Sequence, residues 1–173
     1  MEISHHITFE FALALAKDEA INFVRDVERS LERADFIRGL ERIHESDFGQ
    51  DYIRANIPIN AAMFGQHELG FQSLLIPTPQ GAILQAIPFD NPQTAWAEVS
   101  GEAQVSALPK GSLVNYDFNI KIYLILPKAE KWGGRALMKM IEFTAQQVLS
   151  RIAEAFPAAI QSAAKEAEAK FIA

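Results

Sequence analysis

His5, His6, His44 and His67 are the side chains best suited to metal or proton chemistry, and no two stand four apart on a helix, the spacing that puts two imidazoles on one face. His5 and His6 adjoin in an alternating segment, so they point to opposite sides of a strand and cannot ligate together. The chain has no cysteine, which excludes thiolate zinc sites, cysteine nucleophiles and disulfides. Gly65 and Gly70 lack the following Gly or Lys-Ser/Thr that cradles a phosphate. No Gly-x-Ser-x-Gly elbow occurs; Ser100-Gly101 falls inside a strand pattern. The carboxylates lie mostly on faces that the alternation turns to water, which leaves paired acid–base work without a home. No metal and no organic cofactor are expected.

What remains is a short set of polar side chains on faces that should turn inward: His67, Ser73, Gln85 and Tyr116 on strands, and Thr144 on a helical stripe. A few such groups in an apolar pocket fix the orientation of a ligand's head group. Each also has a structural explanation. His67 starts its strand and can be solvated at a rim, Gln85 can bond to backbone, and Tyr116 can be a core tyrosine whose hydroxyl reaches the surface.

The elements that must position these residues follow from periodicity. From Ile3 to Leu15 the odd positions are Ile3, His5, Ile7, Phe9, Phe11, Leu13 and Leu15, a strand with one buried face. Asp18 can cap the next element, in which Ile21, Val24, Val27 and Leu31 recur at helical spacing; it is one bent helix or two short ones, ending near Ala34. Strands follow: a weak one over Gly39–Glu45, a turn at Ser46-Asp47-Phe48-Gly49, then Asp51–Phe64, with Ile53, Ala55 and Ile57 on one face. Pro58 on the other face lacks a ladder donor and places that strand at an edge or a bulge. His67–Ile76 and Ala82–Phe89 flank Pro77-Thr78-Pro79-Gln80-Gly81, and Ala95–Leu108 and Leu113–Leu126 flank Pro109-Lys110-Gly111, giving two hairpins.

From Gly134 the period becomes helical, with Leu137, Met140, Ile141, Thr144, Val148, Ile152 and Phe156 in one stripe about 35 Å long. Trp132-Gly133-Gly134 would be the joint into it. Pro157 then kinks the helix or begins a separate segment, with Ile160, Ala164, Ala167 and Phe171 on one side, so that residues 157–173 form a C-terminal helical extension of a single domain, 1–173.

The 173 residues suffice for a real core, with about 70% of the unfolded surface buried on folding. Sixteen basic against twenty-two acidic residues give a net charge of −6, and the basic residues do not cluster, so no nucleic-acid partner is expected. The first residues carry no Lys or Arg and no solid apolar block follows, which predicts a cytoplasmic chain without a transmembrane segment; transient membrane contact is left open.

The order strand, short helices, six strands, long helix predicts an α+β architecture: a seven-stranded curved antiparallel sheet with two short helices after the first strand, whose apolar face the C-terminal helix must cover. At Trp96-Ala97-Glu98-Val99-Ser100-Gly101-Glu102-Ala103-Gln104-Val105, at Gly111-Ser112-Leu113-Val114-Asn115-Tyr116-Asp117-Phe118-Asn119-Ile120, and from Gly134 into the helix ending near Phe156, the chain resembles the START-like (SRPBCC, Bet v 1-like helix-grip) superfamily. More locally it is similar to the carbon monoxide dehydrogenase G-like group. The resemblance covers nearly the whole chain and implies a helix-grip fold and hydrophobic ligands.

Between sheet and helix, the strand Ala95–Leu108 turns only small residues inward, Val99, Gly101 and Ala103 among them, which allows either close backbone approach or unfilled space. The candidate ligand contacts are Ile57, His67 and Phe71 on the earlier strands and Gln85, Val99, Gly101 and Ala103 in the middle of the sheet. Tyr116, Phe118 and Ile120 on the last strand and Met140 and Thr144 on the helix complete the set. The function expected is non-catalytic binding or carriage of a lipid, quinone or polyketide-like molecule. Two alternatives stand beside it: a cyclase or dehydratase that uses His67 or Tyr116 as proton donor, and an interaction module in which the tail after Pro157 makes a homodimer.

Overall fold

The computed structural model describes residues 1–45, 49–61, 65–89, 94–125 and 134–172. The turn expected at Ser46-Asp47-Phe48 and the joint at Trp132-Gly133 lie outside the described residues. Seven strands form one antiparallel sheet in the order β1-β7-β6-β5-β4-β3-β2. They are β1 (Glu2–Leu13), β2 (Arg38–Glu45), β3 (Gln50–Ala61), β4 (Gly65–Thr78), β5 (Gly81–Ala86), β6 (Ala95–Ala107) and β7 (Ser112–Leu124). Two short helices, α1 (Lys17–Arg25) and α2 (Val27–Ser30), follow β1, and α3 (Gly134–Ile172) covers the sheet. This is the α+β helix-grip architecture that the order of elements predicts.

Alternation sets which face is covered. In β1 Ile7 and Leu13 are buried, and in β7 so are Val114, Tyr116, Phe118, Ile120 and Ile122. The intervening Asn115 is exposed, and Asp117 bonds at 2.6 Å to His6 on the wet face. β2 pairs no further along β3 than Asn56, so Pro58 sits where β3 is the margin of the sheet and its missing N–H breaks no ladder. At the far margin His44 Nδ1 and Arg42 Nε lie 2.6 and 2.8 Å from the carboxylate of Asp51. The His44 hydrogen bond first and the Arg42 hydrogen bond second hold that carboxyl below its ordinary range, against a smaller opposing effect of burial. A lowered folded-state pKa contributes stability above about pH 4, lost as the pH falls through the folded-state value. Asp51→Asn is therefore expected to remove under about 1 kcal/mol at neutral pH, where water screens the pair, and nothing near pH 2. Urea denaturation of both chains across that range checks it.

Asp18 falls in the first turn of α1 rather than at its cap: the helix starts at Lys17, and Glu19 reaches back to accept the Ala16 N–H at 3.1 Å. Asp26 ends α1 and caps α2 by accepting the Arg29 N–H, so the charged stretch is two helices and not one.

Pro157 does not divide the C-terminal helix. Residues 134–172 form one helix of about 58 Å at 1.5 Å per residue, and the proline's flanks Phe156 and Ile160 are both held in the core. That packing outweighs the backbone bond the proline removes. Ile160, Ala164 and Ala167, the face expected to meet a second copy of the chain, are buried within the chain's own core. Glu168 accepts the Ala14 N–H and Glu166 pairs with Arg33, which fastens the tail to the segments that follow β1 and α2. Ile160, Ala164 and Ala167 are thus committed within the chain, while Phe171 on the same side of the tail is exposed. The opposite end of α3 behaves differently. Leu137, Met138, Met140 and Phe143 are exposed.

Candidate functional site

Where α3 crosses the concave face it does not fill the space. A cavity of about 60 Å³, partly open to solvent, lies between Ile152, Phe156 and Ile160 of α3 and the inner faces of the strands. The sheet contributes Ile53 and Ile57 from β3, Phe71 and Leu75 from β4, Ala82 and Leu84 from β5, Val99 and Ala103 from β6, and Tyr116, Phe118 and Ile120 from β7. Val24, Val27, Ser30 and Leu31 of the short-helix segment, with Phe36 and Ile37 after it, close the third side. The volume is several times what one water needs, yet well below the roughly 300 Å³ at which pockets for drug-sized molecules begin. The site suits a slender group.

Its chemistry is almost wholly apolar. Among the described residues that line it, only Ser30 and Tyr116 carry a polar side-chain atom, and none is charged. Ser30 Oγ donates to Val27 O at 3.3 Å, so its proton is committed to its own helix. Tyr116 is 3% exposed and packs between rings, parallel to Phe9 at 5.0 Å and edge-on to Phe156 at 6.1 Å between centroids. Its hydroxyl is buried and has no hydrogen-bond partner among the described residues. Burial pushes its pKa well above the ordinary phenol value, so the group is a neutral O–H. Phe156 is the hub of this wall, with ring centroids 5.4 Å from Phe9, 5.9 Å from Phe36 and 5.5 Å from Phe118.

Of the twelve candidate contacts, Ile57, Phe71, Val99, Ala103, Tyr116, Phe118 and Ile120 line this cavity. The other five do not. His67 shares the inner parity of β4 but lies near the end of the strand, exposed, and takes part in no hydrogen bond or ion pair among the described residues. Gln85 is exposed because β5 turns its even positions inward: Leu84 lies opposite Leu75 and Gly101, and Ala82 opposite Ala103. Ile83, of the same parity, is turned away with it, and Ala82 and Leu84 line the cavity instead. Met140 stands on the projecting turns of α3, and Thr144 borders a shallow outer groove with Pro58 while donating to Met140 O at 2.9 Å. Gly101 serves close approach and not room: a Cβ there would lie 2.2 Å from Asp117 O of β7. Ser73 is buried but satisfied, donating to Val99 O at 2.7 Å.

The contacts that the sequence reading missed are those of α1, α2 and the segment after them. Their helical period marked Val24, Val27 and Leu31 as a buried stripe, and nothing in that period says what the stripe faces. Among the described residues no group of three His, Asp or Glu side chains is placed to hold a metal ion, and no helix is long and apolar enough to cross a membrane.

A family model described as "Protein of unknown function (DUF3809)" matches residues 8–154. No curated protein matches the chain in sequence. Solved structures match it in fold. The di-domain aromatase/cyclase (ARO/CYC) StfQ from the steffimycin biosynthetic pathway superposes with a TM-score of 0.60 at 14% identity over 99% of this chain. This chain spans 53% of that protein, about half its length. The Zhui aromatase/cyclase from Streptomyces sp. R1128 gives 0.53 at 13% identity, covering 96% of this chain and 94% of its own. The polyketide-cyclase-like protein Cgl2372 from Corynebacterium glutamicum gives 0.53 at 12% identity, covering 99% and 96%. At these identities the likeness is one of fold: the Bet v 1-like, SRPBCC helix-grip fold.

Proposed function

The chain belongs to the DUF3809 family, whose description assigns no activity, and we propose that it binds or carries a slender hydrophobic small molecule, lipid-, quinone- or polyketide-like, without catalysing its conversion. The observation that carries this reading is the cavity under α3, walled by aliphatic and aromatic side chains and free of charge. Its mechanism is burial: five or six methylenes removed from water contribute about 4 to 5 kcal/mol before ordering costs, which sets a dissociation constant of about a millimolar or weaker. A ligand that widens the cavity would bind more tightly. The chain would act as one START-like domain in the cytoplasm, and the nearer likeness to the carbon monoxide dehydrogenase G-like group rests on the small-residue strand around Val99 and Ala103.

A second reading, a cyclase or dehydratase, is favoured by the fold shared with the aromatase/cyclases. It needs an inward acid–base pair. His67 is outside the cavity, and Tyr116 is the one titratable group in its wall.

Thermal melts with a small neutral quinone or a medium-chain alcohol test the binding role. At ten times the dissociation constant a bound ligand adds about 1.4 kcal/mol, which raises Tm by about 3 °C in a chain of this size. Val99→Phe projects a ring into the cavity and is expected to abolish that rise while leaving the far-ultraviolet circular dichroism intact. Absence of any shift in the parent chain, together with no co-purifying molecule in native mass spectrometry after a detergent-free preparation, would overturn the proposal.

A further inference from the structure

Tyr116 lines the cavity, and its buried hydroxyl has no hydrogen-bond partner among the described residues. A phenylalanine would fill the same place between Phe9, Phe118 and Phe156. A buried hydroxyl without a partner is destabilising, and the surrounding rings offer it no strong acceptor. Among the described residues the same wall holds no Lys, Arg or His. A carboxylate brought into it would lose its hydration with no countercharge in return, a large desolvation penalty. A neutral oxygen has no such penalty and supplies the missing acceptor.

We propose that the cavity takes a neutral apolar molecule bearing one carbonyl oxygen, a ketone, quinone or ester, which accepts a hydrogen bond from the Tyr116 hydroxyl, and that it rejects the corresponding carboxylate. This rests on the reading of the cavity as a hydrophobic ligand site. Tyr116 is then an orienting residue: it fixes which end of the ligand lies deepest, against Phe156, with the chain running toward the open side.

The test is a cycle of two proteins and matched ligands, followed by titration in nuclear magnetic resonance. The ligands are 2-octanone, its shape analogue 2-methyl-1-octene, and octanoate; the proteins are the parent chain and Tyr116→Phe. Because the alkene keeps the ketone's outline, the change in the ketone-to-alkene affinity ratio between the two proteins cancels the difference in hydration. Tyr116→Phe is expected to weaken the ketone about fivefold to tenfold, the equivalent of one hydrogen bond, and to leave the alkene unchanged. Octanoate should bind neither protein in the range where the ketone binds. Removing an unpaired hydroxyl should leave Tm equal or higher, so the variant remains a folded comparison.

Equal effects of the substitution on ketone and alkene, or no effect on either, would overturn the role of Tyr116 while leaving the hydrophobic site standing. Octanoate binding as tightly as the ketone would overturn the restriction to neutral ligands. Failure of all three ligands to bind the parent chain would overturn the cavity reading itself, and this inference with it.

Discussion

Gly101→Ala is expected to lower stability by about 4 kcal/mol or more, leaving much of the expressed protein unfolded. At φ +153° the residue lies in backbone space that side chains rarely share, and its added Cβ would sit 2.2 Å from Asp117 O and 2.7 Å from Phe118 Cα. Both obstacles are backbone atoms of β7, which is paired along its whole length with β1 on one side and β6 on the other. A flexible side chain could swing away; a central strand fixed on both sides cannot. Urea denaturation followed by circular dichroism checks the expectation. A loss below about 1 kcal/mol would mean that β6 and β7 are free to separate there.

Phe156→Ala should lower stability by about 3–5 kcal/mol, the usual range for emptying a buried aromatic position. The ring holds edge-to-face contacts with Phe9, Phe36, Tyr116 and Phe118, so its loss removes the contact that joins α3 to β1, β7 and the segment before β2. The same substitution enlarges the cavity. The variant is therefore expected to bind bulkier apolar molecules than the parent chain does, a gain of affinity bought at the expense of stability. Denaturation curves read the first effect, and a titration with a naphthalene-sized hydrocarbon reads the second. Stability lost with no change in ligand size would show that α3 collapses into the vacated space.

Much of the architecture was legible from alternation alone. The odd positions of β1 and the even positions of β7 turn inward as their residue types demand, and the turn chemistry at Pro79-Gln80 and Lys110-Gly111 locates two hairpins. The site was legible where a strand's parity is set by a long run of apolar residues, as for Tyr116, Phe118 and Ile120. It was misread where the run is short and both parities look alike. In β5 Ile83 competes with Ala82 and Leu84, and the choice is made by the close passage of Gly81 against Ala103 O in β6, a tertiary fact. On α3 the stripe meets the core at Ile152 and Phe156 but misses Ala145 and Leu149 one position round, and it does not say how far along the helix the sheet extends. Ala145, Leu149 and Ile152 meet the core, whereas Leu137 and Met140 continue the pattern into solvent. Small residues on β6 carried the same ambiguity. Ala103 leaves room and Gly101 is filled by a neighbouring strand, and only the backbone path separates the two cases.

The sheet is open: β1 and β2 are its two ends and do not meet. Unpaired strand ends invite another copy of the chain to add on and so seed fibrous aggregation. Here the β2 end is ill suited to that role. It is short, it carries Arg38, Glu41, Arg42, His44 and Glu45 among its eight residues, and its register slips between Arg38 and Glu41 beside Gly39 at φ +58°. A strand arriving from outside would meet alternating charges and a template bent out of line. The grip can stay open for a guest while offering little purchase for runaway strand addition.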